Sequence, residues 1–207
     1  MDERFPTRCH IADCPLWTHR LLKNIRTWGP KTLTDAIAEA DEQAVVELGA
    51  GEFVLTKELV VDRAVTLRGA GSGVTTLRHD TAAPASRVLS VSNGATVERL
   101  TVTGGLGNVA GSGVLVGMQS VLQDCEITGN RPAGWGTGNK GGGVYVNGGK
   151  VLRCVFHGNG VVDNNAYVSA SSLYIDGGGI ADSCLFLRRL RVFSASGQQY
   201  RVRGCLR

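Results

Sequence analysis

Apolar residues recur along this chain in columns with nearly constant spacing. The clearest column consists of Leu100, Cys125, Cys154 and Cys184, separated by 25, 29 and 30 residues. Two positions after each member stands another apolar residue, which gives Val102, Ile127, Phe156 and Phe186. Ten or eleven positions before the first column stand Leu89, Val114, Val144 and Leu173, and two positions after these come Val91, Val116, Val146 and Ile175. Apolar residues at alternate positions indicate short strands with one buried face.

The repeats predict an all-β solenoid of parallel strands. Each repeat is expected to contribute two short strands, separated by a glycine-rich or polar turn such as Asn147–Gly149 or Asp176–Gly179. One repeat cannot bury its apolar row alone, so successive repeats stack with their strands about 4.8 Å apart and share a continuous core. Residues 104–112, 129–141 and 158–171 differ in length and are rich in Gly, Asn and Ser. We expect them to form surface loops along one edge of the solenoid.

The chain before the repeats predicts a cap and the first coils. Less regular strands are expected at Val45–Leu48, Phe53–Leu55, Leu59–Val61 and Val65–Leu67. Before them, apolar residues with helical spacing predict a short helix over residues 32–40, with Thr32 and Asp35 as its capping box. Such a helix would cover the open end of the first coil, where unpaired strand edges otherwise recruit other chains.

The two ends of the chain differ from the repeats. We predict an N-terminal segment over residues 1–30 that is partly helical, because Leu21, Ile25 and Trp28 have helical spacing, and a β-helix domain over residues 31–207. Tyr200, Val202 and Cys205 resemble a strand column, yet the sequence stops two residues later. The last coil is therefore expected to be incomplete, which favours a truncated chain, then an oligomer contact through the solenoid end, then an unusual cap.

Composition agrees with this fold and narrows the partners. Glycine accounts for 29 of 207 residues and aromatic residues for 6%, which suits many tight turns better than a helical bundle. The net charge of +4 is too small to indicate a nucleic-acid partner. Six arginines and no acidic residue lie in 188–207, and we interpret them as a solvated end rather than a polyanion-binding tail. The sequence predicts no transmembrane segment, and Met1–Arg8 lacks the apolar run of a signal peptide.

The six cysteines are interpreted as structural. Because Leu100 occupies the same position as Cys125, Cys154 and Cys184, we predict a core ladder of free thiols, with disulfides between neighbouring coils as the alternative. Cys9 and Cys14, with His10 and His19, match no standard zinc spacing, which leaves a local disulfide or two unpaired thiols. The sequence predicts neither a metal site nor a cofactor.

One outward-facing column predicts a ligand-binding face. Tyr145 and Tyr174 occupy equivalent positions between inward apolar residues, with Asn147 and Asp176 two positions further on. Flat rings stack on the apolar faces of sugars, while amides and carboxylates bind hydroxyls. The flanking loops would add further side chains, among them Arg131, Trp135, Asn139, Lys140, Asp163, Asn164 and Asn165. The alternative is a tyrosine ladder that only stabilises the sheet.

Other outward positions carry less chemistry. Arg99, Asp124, Arg153 and Ser183 form a column of alternating charge, which we interpret as structural. Lys150 and His157 are assigned to the same solvated surface. Asp176 with Lys140 or His157 would be the acid–base candidates of an enzyme. Their spacing does not require them to converge, and we predict no catalytic residue.

Two segments resemble a known family. Residues 45–53 and 59–71 look like the opening of pectate-lyase-like right-handed parallel β-helix proteins, and residues 141–159 resemble the repeat of bacterial surface β-helix proteins, including polymorphic outer-membrane proteins. The resemblance implies a right-handed coil and an extracellular or cell-surface location. The Asp-Asp and Arg-Ile-Lys signatures of the family's hydrolases are missing, and His157-Gly158 alone is a weak match. We therefore favour a non-catalytic module that binds a glycan, with a polysaccharide lyase or hydrolase, or a tailspike-like fibre segment, as alternatives.

Overall fold

A computed structural model describes residues 23–25, 30–107, 109–132, 140–160, 172–187 and 192–194. It contains one helix, α1, at Pro30–Glu39. The strands are β1 (Lys23–Ile25), β2 (Val45–Leu48), β3 (Gly51–Leu55), β4 (Leu59–Val61), β5 (Thr66–Arg68), β6 (Thr75–His79), β7 (Leu89–Val91), β8 (Thr96–Glu98), β9 (Thr101–Thr103), β10 (Val114–Val116), β11 (Val121–Gln123), β12 (Glu126–Thr128), β13 (Val144–Asn147), β14 (Lys150–Leu152), β15 (Val155–His157), β16 (Leu173–Asp176), β17 (Ile180–Asp182), β18 (Leu185–Leu187) and β19 (Val192–Ser194).

The strands form three parallel sheets that run along the solenoid. Sheet A has the order β1-β2-β5-β8-β11-β14-β17, sheet B the order β3-β6-β9-β12-β15-β18, and sheet C the order β4-β7-β10-β13-β16-β19. Each coil contributes one strand to A, then B, then C. Val114 pairs with Leu89 and Val144, and Ile127 pairs with Val102 and Phe156, which confirms the apolar columns predicted from the spacing.

Each coil contains three strands, so the prediction of two is wrong. The segment from Val121 to Ile127, which the sequence analysis assigns to one strand, is divided between β11 and β12 by a corner at Asp124. Asp124 has a φ of 53°, and its equivalents Arg99, Arg153 and Ser183 have φ values of 58°, 52° and 55°. A single residue in the left-handed region turns the chain between sheets, so the next residue faces the core again.

The core fills the space enclosed by the three sheets. Cys125, Cys154 and Cys184 follow the left-handed corners, and all three are buried free thiols. Burial raises the pKa of Cys184 to about 12 and also raises that of Cys154. Phe156 and Phe186 stack in the same interior with ring centroids 4.8 Å apart. Cys9 and Cys14 lie outside the described residues.

The corner after sheet B contains two asparagines, Asn130 and Asn159, that the sequence analysis missed. Asn130 is fully buried, and its Nδ2 donates to Val102 O, Thr128 O and Asn159 Oδ1, each at 3.1 Å. Its Oδ1 accepts from Gly105 N at 2.9 Å. One side chain thereby satisfies backbone groups of successive coils where the strands end.

An arginine fixes the first long loop against sheet C. Arg87 donates from Nε to Gly111 O at 2.9 Å and from Nη2 to Ala110 O at 2.7 Å, and its Nη1 lies 2.7 Å from Glu58 Oε1. The 104–112 loop is therefore held along the edge of the solenoid, as predicted for this segment.

The N-terminal part combines a helix and an additional strand. α1 buries Leu33 and Ile37 against the first coil, which confirms the predicted cap, although it begins at Pro30 rather than after a Thr32 capping box. β1 pairs with β2 and extends sheet A, so the second helix predicted around Ile25 is wrong. By pairing with β2, strand β1 satisfies the backbone N–H and C=O groups at the edge of sheet A. A short helix in its place would leave those edge groups unpaired.

The C-terminal prediction is largely untested by the structure. β19 pairs with β16, while Tyr200, Val202 and Cys205 lie outside the described residues, as does most of the arginine-rich end. No helix in the described part of the chain is long and apolar enough to cross a membrane.

Candidate functional site

The outward face of sheet C aligns the two predicted tyrosines. Tyr145 pairs directly with Tyr174 on the next strand and with Leu115 on the previous one. The flanking residues Val144 and Val146 are fully buried, so the alternation of the strand turns Tyr145 outward. The two rings lie 5.7 Å apart, centroid to centroid, with a tilt of 31°. This geometry is a favourable offset contact between aromatic rings.

The two tyrosines differ in exposure. Tyr145 is half-buried, whereas Tyr174 is only 6% exposed. Tyr174 occupies the predicted position beside Tyr145, but its ring lies beneath neighbouring groups and does not form a free platform. The surface that a ligand can reach consists of Tyr145 and the groups that cover Tyr174.

A lysine covers the Tyr174 ring. Lys140 Nζ lies 5.0 Å from the ring centroid, a cation–π distance. The loop that supplies this lysine is held down, because Gly111 N donates to Lys140 O at 2.8 Å. Gly141 follows with a φ of 63°, and a Cβ there would lie 2.1 Å from Val144 O. Only glycine allows the loop to approach the strand this closely, so the position of Lys140 depends on it.

A carboxylate completes the face. Tyr145 donates its hydroxyl to Asp176 Oδ2 at 3.2 Å, and Gly177 N donates to Asp176 Oδ1 at 2.9 Å. Partial burial, followed by the nearby charge of Asp176, raises the pKa of Tyr145. Asn147 is exposed and pairs in register with Asp176. The structure thus brings together an aromatic ring, a carboxylate, an amide and an ammonium group.

Other predicted site residues lie elsewhere. Trp135 is outside the described residues, as are Asn139, Asp163, Asn164 and Asn165. His157 is in β15 of sheet B, so it does not face Asp176 on sheet C, and Lys150 is in β14 of sheet A. The assignment of Lys150 and His157 to one surface is therefore wrong, because the left-handed corner at Arg153 separates sheet A from sheet B in this coil. An acid–base pair of Asp176 and His157 is not formed.

Sheet B contains a polar network that the sequence analysis missed. His157 Nε2 lies 2.7 Å from Glu126 Oε1, and His157 Nδ1 lies 3.0 Å from Thr128 Oγ1. Thr101 donates its hydroxyl to Glu126 Oε2 at 2.9 Å. The available signal was the register of the cysteine column, because Thr128 and His157 each stand three positions after an aligned cysteine and are therefore neighbours.

Comparisons with known proteins agree with the fold. No family model matches the chain, and no match was found among curated proteins. The ORF18 protein of Geobacillus virus E2 superposes with a TM-score of 0.56 and 14% identity, over 84% of this chain and 36% of that one. A pectin methylesterase in complex with a hexasaccharide gives a TM-score of 0.55 and 14% identity, over 89% and 64%. A mutant pectin methylesterase with another hexasaccharide gives 0.55 and 15%, over 91% and 60%.

At sequence identities of 14–15%, these superpositions show a shared fold and nothing about activity. The chain is a right-handed parallel β-helix of the pectate-lyase-like type. It spans less than two thirds of the length of each of these three proteins.

Proposed function

We propose that this chain is an extracellular or cell-surface β-helix module that binds a glycan through the outward face of sheet C. The observation that carries the proposal is the convergence of Tyr145, Asp176 and Lys140 on one face. Tyr145 offers a partly exposed ring, Asp176 accepts hydrogen bonds, and Lys140 donates them. Protein sites for sugars combine such apolar rings with a few placed polar groups.

The ammonium group of Lys140 favours an acidic glycan. Its loop backbone is fixed by the hydrogen bond from Gly111, so the charge is presented at a defined place beside the tyrosines. Lysine is a compact donor that pairs with carboxylates. The hexasaccharide complexes of the two pectin methylesterases are consistent with a polysaccharide ligand, although the likeness is one of fold and the ligand class rests on the side chains of sheet C.

Sheet C is proposed as a binding face rather than a catalytic one. Asp176 is engaged by the Tyr145 hydroxyl and by Gly177 N, and His157 belongs to another sheet. The alternative is a lyase or hydrolase at this face. It would shorten an acidic polysaccharide, and a lyase would raise the ultraviolet absorbance through a new double bond.

A second candidate function is a tailspike-like or fibre segment. The observation in its favour is the superposition with the virus protein, which covers 84% of this chain. Fibre proteins of this kind assemble through copies of one chain, so light scattering should give a trimer mass. A monomer mass would remove this candidate and leave glycan binding untouched.

Binding is tested by affinity electrophoresis in gels that contain polygalacturonate, alginate, chitosan or dextran. We expect retardation in an acidic gel, and Tyr145→Ala should weaken it tenfold or more, equivalent to about 1.4 kcal/mol. Tyr145→Phe keeps the ring and should retain most of the binding. Tyr174→Ala removes the floor under Lys140 and should also weaken it.

Matched controls separate a specific face from general charge. Lys140→Gln should weaken retardation by an acidic gel, whereas Lys150→Gln removes the same charge from the exposed face of sheet A and should not. Unretarded migration of the unaltered chain in all four gels, or equal retardation of Tyr145→Ala, would show that the proposal is wrong.

A further inference from the structure

The polar network on sheet B has the geometry of a hydroxyl–imidazole–carboxylate relay. Thr128 and His157 stand directly opposite each other on β12 and β15, with Thr128 Oγ1 3.0 Å from His157 Nδ1. The other ring nitrogen, Nε2, lies 2.7 Å from Glu126 Oε1. A hydroxyl within reach of a base, with the base oriented by a third group, is the arrangement of an activated nucleophile.

The hydrogen bonds determine which ring nitrogen is the base. Gly73 N donates to Thr101 Oγ1 at 2.8 Å, so the Thr101 hydroxyl hydrogen is directed to Glu126 Oε2. The pKa of Glu126 is lowered, first by its hydrogen bond with His157, so this carboxylate is ionised and only accepts. Neutral His157 therefore donates from Nε2 to Glu126, and its Nδ1 is left to accept the Thr128 proton.

The relay is open to solvent. The His157 side chain is 36% exposed and that of Glu126 is 28% exposed. Beside them, Gly158 has no side chain, and a Cβ at that position would lie 3.6 Å from Thr128 Oγ1. Thr128 is itself partly exposed, and we expect an acyl group to approach its hydroxyl from the side of Gly158.

We propose that Thr128 and His157 hydrolyse esters of small carboxylic acids, such as O-acetyl groups, with Glu126 as a positioning residue. Thr128 Oγ1 forms a bond to the acyl carbon as its proton passes to His157 Nδ1. The bond from the acyl carbon to the alcohol breaks, and His157 returns the proton to the departing alkoxide. Water, deprotonated by the same nitrogen, then releases the carboxylic acid and restores Thr128. This activity goes beyond glycan binding on sheet C and does not depend on it.

The test measures p-nitrophenyl acetate hydrolysis by the whole chain. Thr128→Val and His157→Gln should each lower the rate by about 100-fold, the usual contribution of a positioned base. Thr128→Ser keeps a hydroxyl and should remain active. Glu126→Gln should lower kcat with little change in KM, because it alters the base and not the substrate contacts. Far-ultraviolet circular dichroism shows whether each variant remains folded.

A matched control lies in the same outward column. Glu52→Gln makes the same substitution three coils earlier, where Glu52 pairs with Arg78, and should leave the rate unchanged. Acid-quenched samples should contain acetyl on Thr128 by peptide mass spectrometry. A Thr128→Val chain as active as the unaltered one, or acetyl found on lysines alone, would overturn the proposal. Neither result would affect the glycan-binding test.

Discussion

At the scale of single residues, the left-handed corners explain both the shape of the coil and the place of the charges. Asp124 and Arg153 occupy equivalent corners, and the Arg153 guanidinium donates from Nε and Nη2 to the two oxygens of Asp124, each at 2.7 Å. The structural role predicted for this column is consistent with these contacts. The sequence signal for the corner is the spacing of buried residues, because Leu122 is followed by Cys125 after three positions instead of two.

The Asp124–Arg153 pair gives a prediction about pH. The hydrogen bond from Arg153 lowers the pKa of Asp124 below the ordinary value of an aspartate, so the pair stabilises the fold above that ordinary value and stops doing so as the pH falls through the lowered pKa. Asp124→Asn tolerates the left-handed corner equally well but removes the charge. Because the pair is exposed, we expect the variant to be less stable by about 0.5 kcal/mol at pH 7.

Urea unfolding at pH 7 and pH 2 measures this difference. The difference between the free energies of unfolding of the two chains should shrink as the pH falls from 7 to 2, because Asp124 becomes protonated as the pH falls through its lowered pKa. A difference that stays the same at both values of pH would show that the ion pair is not its cause.

At the scale of elements, the apolar strand columns were predicted from the sequence, whereas the division of each coil into three strands and the corner at Asn130 were not. Period-two alternation located the strands because each has one buried face. Asn130 stands in a glycine-rich segment that the sequence predicts to be a surface loop, and nothing in the neighbouring sequence reveals that it is fully buried. Its partners come from the coils on either side, which only the three-dimensional stacking brings near. For the polar network around His157, the aligned columns place Thr128 beside His157, but the contact from His157 to Glu126 runs diagonally between coils and is seen only in the structure.

The Asn130 corner should be a major source of stability. Asn130→Ala removes the partners of Gly105 N and Val102 O, and each buried polar group left unpaired costs about 1–3 kcal/mol. We expect a loss of about 3 kcal/mol in the free energy of unfolding. Asn147→Ala, at an exposed strand end, should change it by less than about 0.5 kcal/mol. Equal effects of the two substitutions in urea unfolding would contradict this account of the corner.

At the scale of the whole molecule, three sheets give three outward faces with separate chemistry. Sheet C carries the tyrosines, sheet B carries the His157 network, and sheet A carries alternating charges such as Glu47, Arg68 and Glu98. The aligned columns predicted which residues of successive coils stack on one sheet. They did not predict which of the three sheets each column belongs to. The burial of Tyr174 could not be predicted from its strand column, because Lys140 and Gly141, which belong to another segment, lie against its side chain.

Both proposed sites depend on the register between successive coils, and engineered cross-links test it most directly. Val121 and Lys150 face outward as direct partners on β11 and β14, whereas Leu152 is two positions further along β14. Direct partners on neighbouring strands lie about 4.8 Å apart, within disulfide range, while the diagonal exceeds about 7 Å.

The chain carrying Val121→Cys and Lys150→Cys should form a disulfide under mild oxidation, identified by peptide mass spectrometry. The chain carrying Val121→Cys and Leu152→Cys should not. A cross-link formed as readily by the second chain as by the first would contradict the register on which the account rests.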